Sequence, residues 1–380
     1  MCQDGLRQRL VYLAGVVVTF YCGIVACETS GFQQPPDAVT FYNRGKTYYQ
    51  KGDYENALVD FNLAIKLKPD FANAYLSRGN AYCDQGEYDR AIADYTQALL
   101  LQPYEATSHN NRGNVYLIKN DFGHAIADFT QALALQPNLV AAYCNRGVAH
   151  TQRGDYEQAI LDFNQAIKLK PNDPATFYKR GKAYYSQGNS VRALVDYNYA
   201  IKLNPNFAEA YFSRGMTHLK KNDFELAIVD FNRAIKLKSD LAEAYANRGV
   251  AYAQLERYSR AISDYDRAIQ LKRERVFSRQ NRGADFIPTI RLKPEDADIY
   301  YNRGRAYHAL GKFDRAIADY TQAINIKATH VNAYYIRATA YRDKGEPGRA
   351  IFDFMKVLEL TRDPMLSDKA KQHLQALRGN

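Results

Sequence analysis

Side chains able to take part in catalysis or metal binding are scattered through this sequence. Seven histidines and five cysteines occur in 380 residues, and none of them form a metal-ligand pair at helical spacing. The sequence also lacks a glycine-rich phosphate loop and a GxSxG motif. We therefore predict no enzymatic activity, no cofactor, no metal and no small-molecule substrate. Two histidines, His150 and His218, stand where most copies of the repeat described below have Tyr or Phe, which favours a packing role for them.

Arginine and aspartate, in contrast, recur in a strict register. Arg44 and Asp60 lie 16 residues apart, and pairs with the same separation follow through the chain. A guanidinium and a carboxylate form strong paired hydrogen bonds when two elements bring them together. We predict a ladder of such ion pairs and expect it to hold the fold together, without a role in binding. A structure with Arg146 and Asp162 far apart would contradict this hypothesis.

The elements that position these pairs follow from a unit of 34 residues that repeats along the chain. Its eighth residue is a glycine in all but the last copy, at Gly45, Gly79, Gly113, Gly147, Gly181, Gly215, Gly249 and, after an irregular interval, Gly304. The fourth residue is Phe or Tyr in eight of nine copies, with His109 as the exception, and the twentieth and twenty-seventh residues are small. Small residues at helical spacing let two helices approach closely. Each unit is therefore predicted to be a helical hairpin that needs its neighbours to bury its apolar face.

Turn residues predict the ends of these helices. Gly52 and Gly154 are placed to adopt the left-handed conformation that ends a first helix, and the next residue begins the second helix. Asp155 and Gln158 have the spacing of a capping box. Prolines such as Pro171 end the second helix.

These residues resemble the tetratricopeptide repeat (TPR) family over residues 38–364. The sequence departs from the family in having no tryptophan and in having Arg at the seventh place of every full copy. The resemblance implies an all-α fold, a right-handed superhelical solenoid of tandem helix-turn-helix repeats. We divide the chain into seven repeats (38–275), a truncated repeat (276–296), two further repeats (297–364) and a C-terminal capping helix (365–380).

The resemblance also implies a peptide-binding groove, because in this family the first helices line the concave face. The residues at the groove-facing places are Asn73, Asn80, Asn110, Asn111, Asn114, Asn145, Tyr178, Lys179, Lys182, Tyr185 and Phe212. Asparagine offers a donor and an acceptor, which suits the backbone of an extended peptide whatever its sequence. The set is similar to the peptide-holding ladder of peptide O-linked N-acetylglucosamine transferases, and it lacks the lysine of the carboxylate clamp in chaperone-binding members. The alternative is that the asparagines are simply tolerated on an exposed helix face.

Residues 1–26 do not belong to the array. Arg7 and Arg9 precede an apolar run from Leu10 to Cys27, which is the layout of a secretory signal. The sequence IVAC at 24–27 resembles the lipobox of bacterial lipoproteins, so Cys27 is the predicted lipidation site and residues 27–37 form a flexible tether. This predicts a chain anchored to a membrane of the cell envelope and facing out of the cytoplasm. An uncleaved single-pass anchor, an ordinary cleaved signal and a misread start are the alternatives.

Two further features bear on the architecture. Cys83 and Cys144 lie two repeats apart and are expected to be free thiols. Residues 276–296 number 21 where 34 are expected. We interpret them as a repeat that restarts a first helix around Gly283 but has lost its turn and most of its second helix. The expected result is a local break in the superhelix; the alternative is a bend or bulge that binds a partner.

The net charge of +10 raises the question of nucleic acid. Many lysines recur at the ends of second helices, where they complement the helix dipole, and every repeat carries its own acids. We therefore do not expect nucleic-acid binding and favour attraction to an anionic membrane or envelope polymer.

These features predict a membrane-tethered, non-enzymatic scaffold that holds peptides or protein partners during envelope assembly. One alternative is an adaptor subunit of a catalytic or secretion complex, of the peptidoglycan-processing or pilus type. Another, if the start is misread, is a cytoplasmic adaptor.

Overall fold

The computed structural model describes residues 37–280 and 293–378, which fall into two compact units. We call residues 37–137 the N-terminal unit, and residues 138–280 with 293–378 the C-terminal unit. The regular structure of the described residues is helical throughout, which confirms the predicted all-α class. The signal, Cys27, most of the tether and Gly283 lie outside the described residues. Of the helices that the structure describes, none is long and apolar enough to cross a membrane.

The N-terminal unit consists of three hairpins. They are α1 (Ala38–Gln50) with α2 (Tyr54–Leu67), α3 (Ala72–Asp84) with α4 (Tyr88–Leu101), and α5 (Ala106–Ile118) with α6 (Phe122–Leu135). The small residues do what their spacing predicts, since Ala57 is fully buried beside Phe61 in the first hairpin. The eighth-place glycine suits this packing. A Cβ on Gly45 would lie 2.8 Å from the Phe61 ring, so a larger residue there would force the ring or its helix to shift.

The C-terminal unit consists of six hairpins and a final helix. The first four hairpins are α7 (Val140–Arg153) with α8 (Tyr156–Leu169), α9 (Pro174–Ser186) with α10 (Ser190–Leu203), α11 (Ala208–Lys220) with α12 (Phe224–Leu237), and α13 (Ala242–Gln254) with α14 (Tyr258–Gln280). After a 3₁₀ turn at Pro294–Asp296 come α15 (Ala297–Ala309) with α16 (Phe313–Ile326), α17 (Val331–Asp343) with α18 (Pro347–Leu360), and α19 (Pro364–Arg378). Ala370 and Leu374 of α19 complete a core with Phe354 of α18, which confirms the capping helix.

The turns inside the hairpins follow the predicted chemistry with one correction. Gly154 has a φ of 95°, and Asp155 stands at the N-cap of α8 as expected. However, the Asp155 side chain makes no hydrogen bond to the helix, so the capping box with Gln158 is wrong. Its carboxylate instead pairs with Arg153 and approaches His150, which draw it back toward the preceding helix.

The predicted Arg–Asp ladder is confirmed in all nine full repeats. In the fourth, Arg146 Nε and Nη2 donate to the two oxygens of Asp162 at 2.9 and 2.7 Å. The aspartates are buried, so their charge requires such a partner. The hydrogen bond from Arg214 to Asp230 in turn raises the pKa of that guanidinium.

Seven of these arginines also join successive hairpins within their unit, which the sequence pattern did not predict. The third guanidinium nitrogen of each reaches the twenty-fifth residue of the preceding full repeat. Arg180 Nη1, for example, donates to Asn164 Oδ1 at 2.6 Å. Each such arginine therefore ties one hairpin internally and also clamps it to its neighbour.

Between Arg275 and Gln280 the structure differs from the prediction. No new first helix begins within these residues, because α14 continues to Gln280 and is 23 residues long where the other described second helices have 14. The residues after Leu271, KRERVFSRQ, contain no Gly, Pro, Asn or Asp to end a helix.

The local break expected in the superhelix does not separate the neighbouring hairpins. Tyr265 of α14 and Tyr300 of α15 share one hydrophobic core. Arg303 Nη1 donates to Asp266 Oδ1 at 2.5 Å, which is the same clamp that joins the other neighbours. The seventh and eighth hairpins are therefore packed directly against each other, although 21 residues separate Arg275 from Ala297 in sequence.

Candidate peptide-binding faces

Within each unit the first helices form the inner face. In the N-terminal unit α3 contacts both α1 and α5, and in the C-terminal unit each first helix from α7 to α17 contacts the next first helix. Successive second helices make no contact of that extent in the described parts of either unit. Because the first helices lie closer together than the second helices, each unit curves with the first helices on its concave side. Side chains of the first helices that point away from the hairpin core therefore face a partner bound on that concave side.

Three of the predicted asparagines meet on the inner face of the N-terminal unit. Asn111 Nδ2 donates to Asn80 Oδ1 at 3.0 Å, and Asn110 Nδ2 donates to Asn111 Oδ1 at 3.3 Å. The hydroxyl of Tyr95 also donates to Asn80 Oδ1, at 2.8 Å. The carbonyl of Asn80 is therefore occupied within the fold, so Asn80 offers a ligand its donor group more readily than its acceptor.

The other three predicted asparagines also lie on first helices. Asn73 is exposed in the first turn of α3, and Asn114 is half-buried on α5. Asn145 lies half-buried on α7, in the C-terminal unit. The structure thus places all six on first helices and brings three of them together.

Aromatic rings and lysines make up the predicted set in the C-terminal unit. The ammonium nitrogen of Lys182 lies 5.9 Å from the centroid of the Tyr178 ring. The ammonium nitrogen of Lys220, from the next repeat, lies 5.0 Å from the centroid of Tyr185. Such contacts orient a cation without neutralising it. Lys179 is half-buried on the same helix as Lys182.

Tyr178 and Phe212 also have packing roles. The Tyr178 ring lies 5.0 Å from that of Phe207 and 6.0 Å from that of Tyr197, and burial raises the pKa of its hydroxyl. Phe212 packs 5.9 Å from Phe231 in the core of its own hairpin. Both rings are half-buried, so they form the floor of the inner face between repeats.

One functional candidate on this face was missed from the sequence. Arg305 of α15 is exposed, lies 5.9 Å from the Tyr301 ring centroid, and lines a cavity of about 260 Å³ between α13 and α15. It occupies the ninth place of its repeat, as Lys182 does in the fifth. The repeat register alone would therefore have identified it.

The histidines and cysteines behave as packing residues. His150 is buried and His218 half-buried, and the Nδ1 of each lies 3.4 Å from the aspartate that begins the next helix. Cys83 and Cys144 are free thiols, as expected. In the described ranges no group of three His, Cys, Asp or Glu side chains could hold a metal ion.

Comparison with known proteins agrees with this architecture. Profiles described as "TPR repeat" match residues 45–82, 79–119, 113–152, 149–188 and 217–256. Profiles described as "Tetratricopeptide repeat" match residues 174–207, 197–229, 242–274, 297–330 and 331–364. No curated protein matches the chain significantly in sequence.

Solved structures show likeness in fold alone. The APC/C hetero-tetramer Cut9-Hcn1 is 16% identical, with a TM-score of 0.53 over 94% of this chain and 81% of that one. A tetratricopeptide repeat protein from Parabacteroides merdae is 20% identical, with a TM-score of 0.49 over 72% and 99%. YrrB, described as a TPR protein with an unusual peptide-binding site, is 24% identical, with a TM-score of 0.39 over 50% and 97%. From the repeat matches along most of its length, the chain belongs to the tetratricopeptide repeat family, whose members are generally non-catalytic protein-interaction scaffolds.

Proposed function

We propose that this chain is a non-enzymatic scaffold that holds peptides or protein partners on the inner faces of its first helices, tethered to an envelope membrane by lipid at Cys27 during envelope assembly. The observation that carries the proposal is the contact between successive first helices in each unit, which turns their side chains toward the inside of the curve. The amide cluster of Asn80, Asn110 and Asn111 and the ring-supported lysines of α9 and α11 lie on these faces.

The chemistry of the faces supports an extended peptide as the ligand. Amide side chains on one unit and cations on the other recognise backbone and side-chain groups of an extended chain without enclosing it. The described cavities are shallow spaces between helices and give no deep site for a small substrate. The tether rests on the IVAC sequence that ends the N-terminal apolar run.

Photo-crosslinking from inside and outside each curve tests the binding faces. A photoreactive amino acid replaces Asn114 or Lys182 on first helices, or the exposed Ala127 or Val195 on second helices as matched controls. In intact cells we expect defined protein adducts from positions 114 and 182 and few from the controls. Equal adducts from both sides would contradict binding at the inner faces.

The identity of the adducts separates the scaffold from the adaptor. A stoichiometric enzyme or secretion component at every inner position would favour an adaptor subunit. A range of exported proteins would favour a scaffold used in assembly.

Fatty-acid labelling of the wild type beside Cys27→Ser tests the tether. We expect label and membrane retention to depend on Cys27. An unlabelled full-length chain in the membrane would indicate an uncleaved anchor, and an unlabelled soluble full-length chain would indicate a cytoplasmic adaptor.

A further inference from the structure

Four cations on the inner face of the C-terminal unit have no acidic partner among the described residues. They are Lys179, Lys182, Lys220 and Arg305. Three of them rest against rings, with Lys182 over Tyr178, Lys220 over Tyr185 and Arg305 over Tyr301. Ring contacts orient these cations and leave their charge available to a partner.

Two of the acidic residues near this face are already paired. Glu209 Oε1 lies 3.6 Å from Lys238 Nζ, and Glu243 Oε1 lies 3.0 Å from Lys272 Nζ. Lys238 is the C-cap of α12, and Lys272 lies within α14. Apart from the Glu256 carboxylate, the charge on the inner face that remains unpaired is therefore positive, and an anionic partner would complement it.

The cavity at Arg305 has the size and lining for one side chain. Its volume of about 260 Å³ is below the range of about 300–1,000 Å³ that is usual for small-molecule sites. Ala253 and Ala306 leave the space open, while Asn302 and Arg305 supply donors. Glu256 also lines the cavity, and its carboxylate should weaken the binding of an acid there.

We infer that the inner face of the C-terminal unit binds an acidic extended peptide segment, with one carboxylate side chain seated beside Arg305 and others opposite Lys182 and Lys220. The inference rests on the proposed peptide-holding function and specifies its partner. An acidic peptide is favoured over nucleic acid because the exposed Glu256 lines the same cavity as Arg305. Its carboxylate would repel an unbroken row of phosphates, whereas a peptide can place a neutral residue beside it.

The test is fluorescence anisotropy with the full-length chain in mild detergent. The probes are a labelled peptide with alternating Glu and Ser, the same peptide with Gln for Glu, and a single-stranded oligonucleotide of equal charge. We expect the Glu peptide to bind more tightly than the other two at equal ionic strength. Tighter binding of the oligonucleotide would overturn the inference in favour of nucleic acid.

Two triple variants with the same change in net charge locate the site. Lys182→Gln, Lys220→Gln and Arg305→Gln together should weaken binding of the Glu peptide about tenfold. The control combines Lys168→Gln, Lys202→Gln and Lys236→Gln, three exposed lysines near the ends of second helices, and should change the affinity less than about twofold. Equal losses in both triples would mean that net charge alone attracts the peptide, which would overturn the assigned face.

Three further results complete the test. Glu256→Gln removes the opposing carboxylate with little change in shape and should strengthen binding about twofold; unchanged binding would overturn the seat beside Arg305. If the Glu and Gln peptides bind equally, the acidic preference is wrong while peptide holding stands. If neither peptide binds but inner-face crosslinks form in cells, the acidic preference is again wrong and the proposed function stands. If neither peptide binds and those crosslinks are also absent, the proposed function itself is rejected.

Discussion

The inner faces of the two units differ in chemistry although their hairpins are built alike. In the N-terminal unit the face carries amides that bond to one another and to Tyr95, and its cation Lys46 lies 5.5 Å from the centroid of the Tyr42 ring. In the C-terminal unit the corresponding places carry Lys179, Lys182 and Arg305, which are left without carboxylate partners among the described residues. The same scaffold thus presents a face suited to a peptide backbone and a face suited to acidic side chains.

The difference shows that the residues that hold each hairpin together, which we call the frame, and the residues of the inner face stand at separate places of the repeat. The Arg–Asp pair, the glycine and the small residues face the inside of the hairpin and are shared by both units. The ninth place is occupied by Asn80 in one unit and Arg305 in the other, and both side chains lie on the first helices. Changes at one set of places should therefore leave the other largely intact.

The largest effect is expected from breaking the shared frame. Arg180→Ala leaves the buried Asp196 without its bidentate partner, which should cost about 3–5 kcal/mol of stability. Arg112→Ala should cost less, because Asp128 keeps His109 at 3.1 Å. Urea unfolding, with hydrogen exchange to locate the loss, compares the two variants. Equal small losses in both would show that the ladder is not essential to the frame.

A salt series distinguishes the two faces directly. Raising ionic strength from about 0.1 M to about 1 M shortens the Debye length from about 10 Å to about 3 Å. We expect adducts from a photoreactive residue at position 182 to fall several-fold, and those from position 114 to change little. The yield of crosslinked partner on gels measures this, and equal salt sensitivity at both positions would remove the contrast between the faces.

The buried tyrosines at the twenty-fourth place of the repeat also differ between the two units. The Tyr95 hydroxyl bonds to Asn80, whereas the Tyr320 hydroxyl is buried with no partner in the described structure. Tyr95→Phe should lower the free energy of unfolding by about 1 kcal/mol, and Tyr320→Phe should leave it unchanged or raise it by a similar amount. Thermal unfolding of the two variants is the measurement. A clear loss in Tyr320→Phe would reveal a bonded hydroxyl and contradict the contrast.

The smallest effect concerns the turns. Glu256 has a φ of 58°, a left-handed conformation that the equivalent glycines adopt freely, and Asn120 does the same at 61° in the N-terminal unit. Glu256→Gly should stabilise the chain by about 0.5–1 kcal/mol through relief of this strain, whereas Asn120→Gly should have little effect because asparagine tolerates the conformation. Urea midpoints compare the two, and a loss of stability in Glu256→Gly would show that the Glu256 side chain makes a stabilising contact.

Much of the frame could be predicted because it is local and periodic. Arg146 and Asp162 were paired from sequence since two helices of one hairpin must return past each other, and every copy repeats the register. The link from Arg180 to Asn164 was missed because it depends on how neighbouring hairpins stack, which no single repeat records. The capping box at Asp155 failed because Arg153 and His150 compete for its carboxylate.

The sequence predicted which residues lie on the candidate faces, but it did not predict which of their polar groups are already hydrogen-bonded. The repeat register placed Asn80 and Asn111 on first helices, yet it could not show that Asn80 already accepts two hydrogen bonds. Arg305 was overlooked until its cavity was visible, although its place in the repeat matches that of Lys182. Tertiary packing decides which side chains are already bonded within the fold and which can still contact a partner.

The sequence by itself determined the family, the hairpin unit and the Arg–Asp ladder, because each depends on residues that are near in sequence or repeat at a constant spacing. The tertiary structure decided that α14 runs on to Gln280 and that the seventh and eighth hairpins nonetheless pack together, with Arg303 clamped to Asp266. It also decided which inner-face groups are left for a partner. Those outcomes depend on contacts between hairpins, where the energy of burying one surface against another outweighs the local pattern.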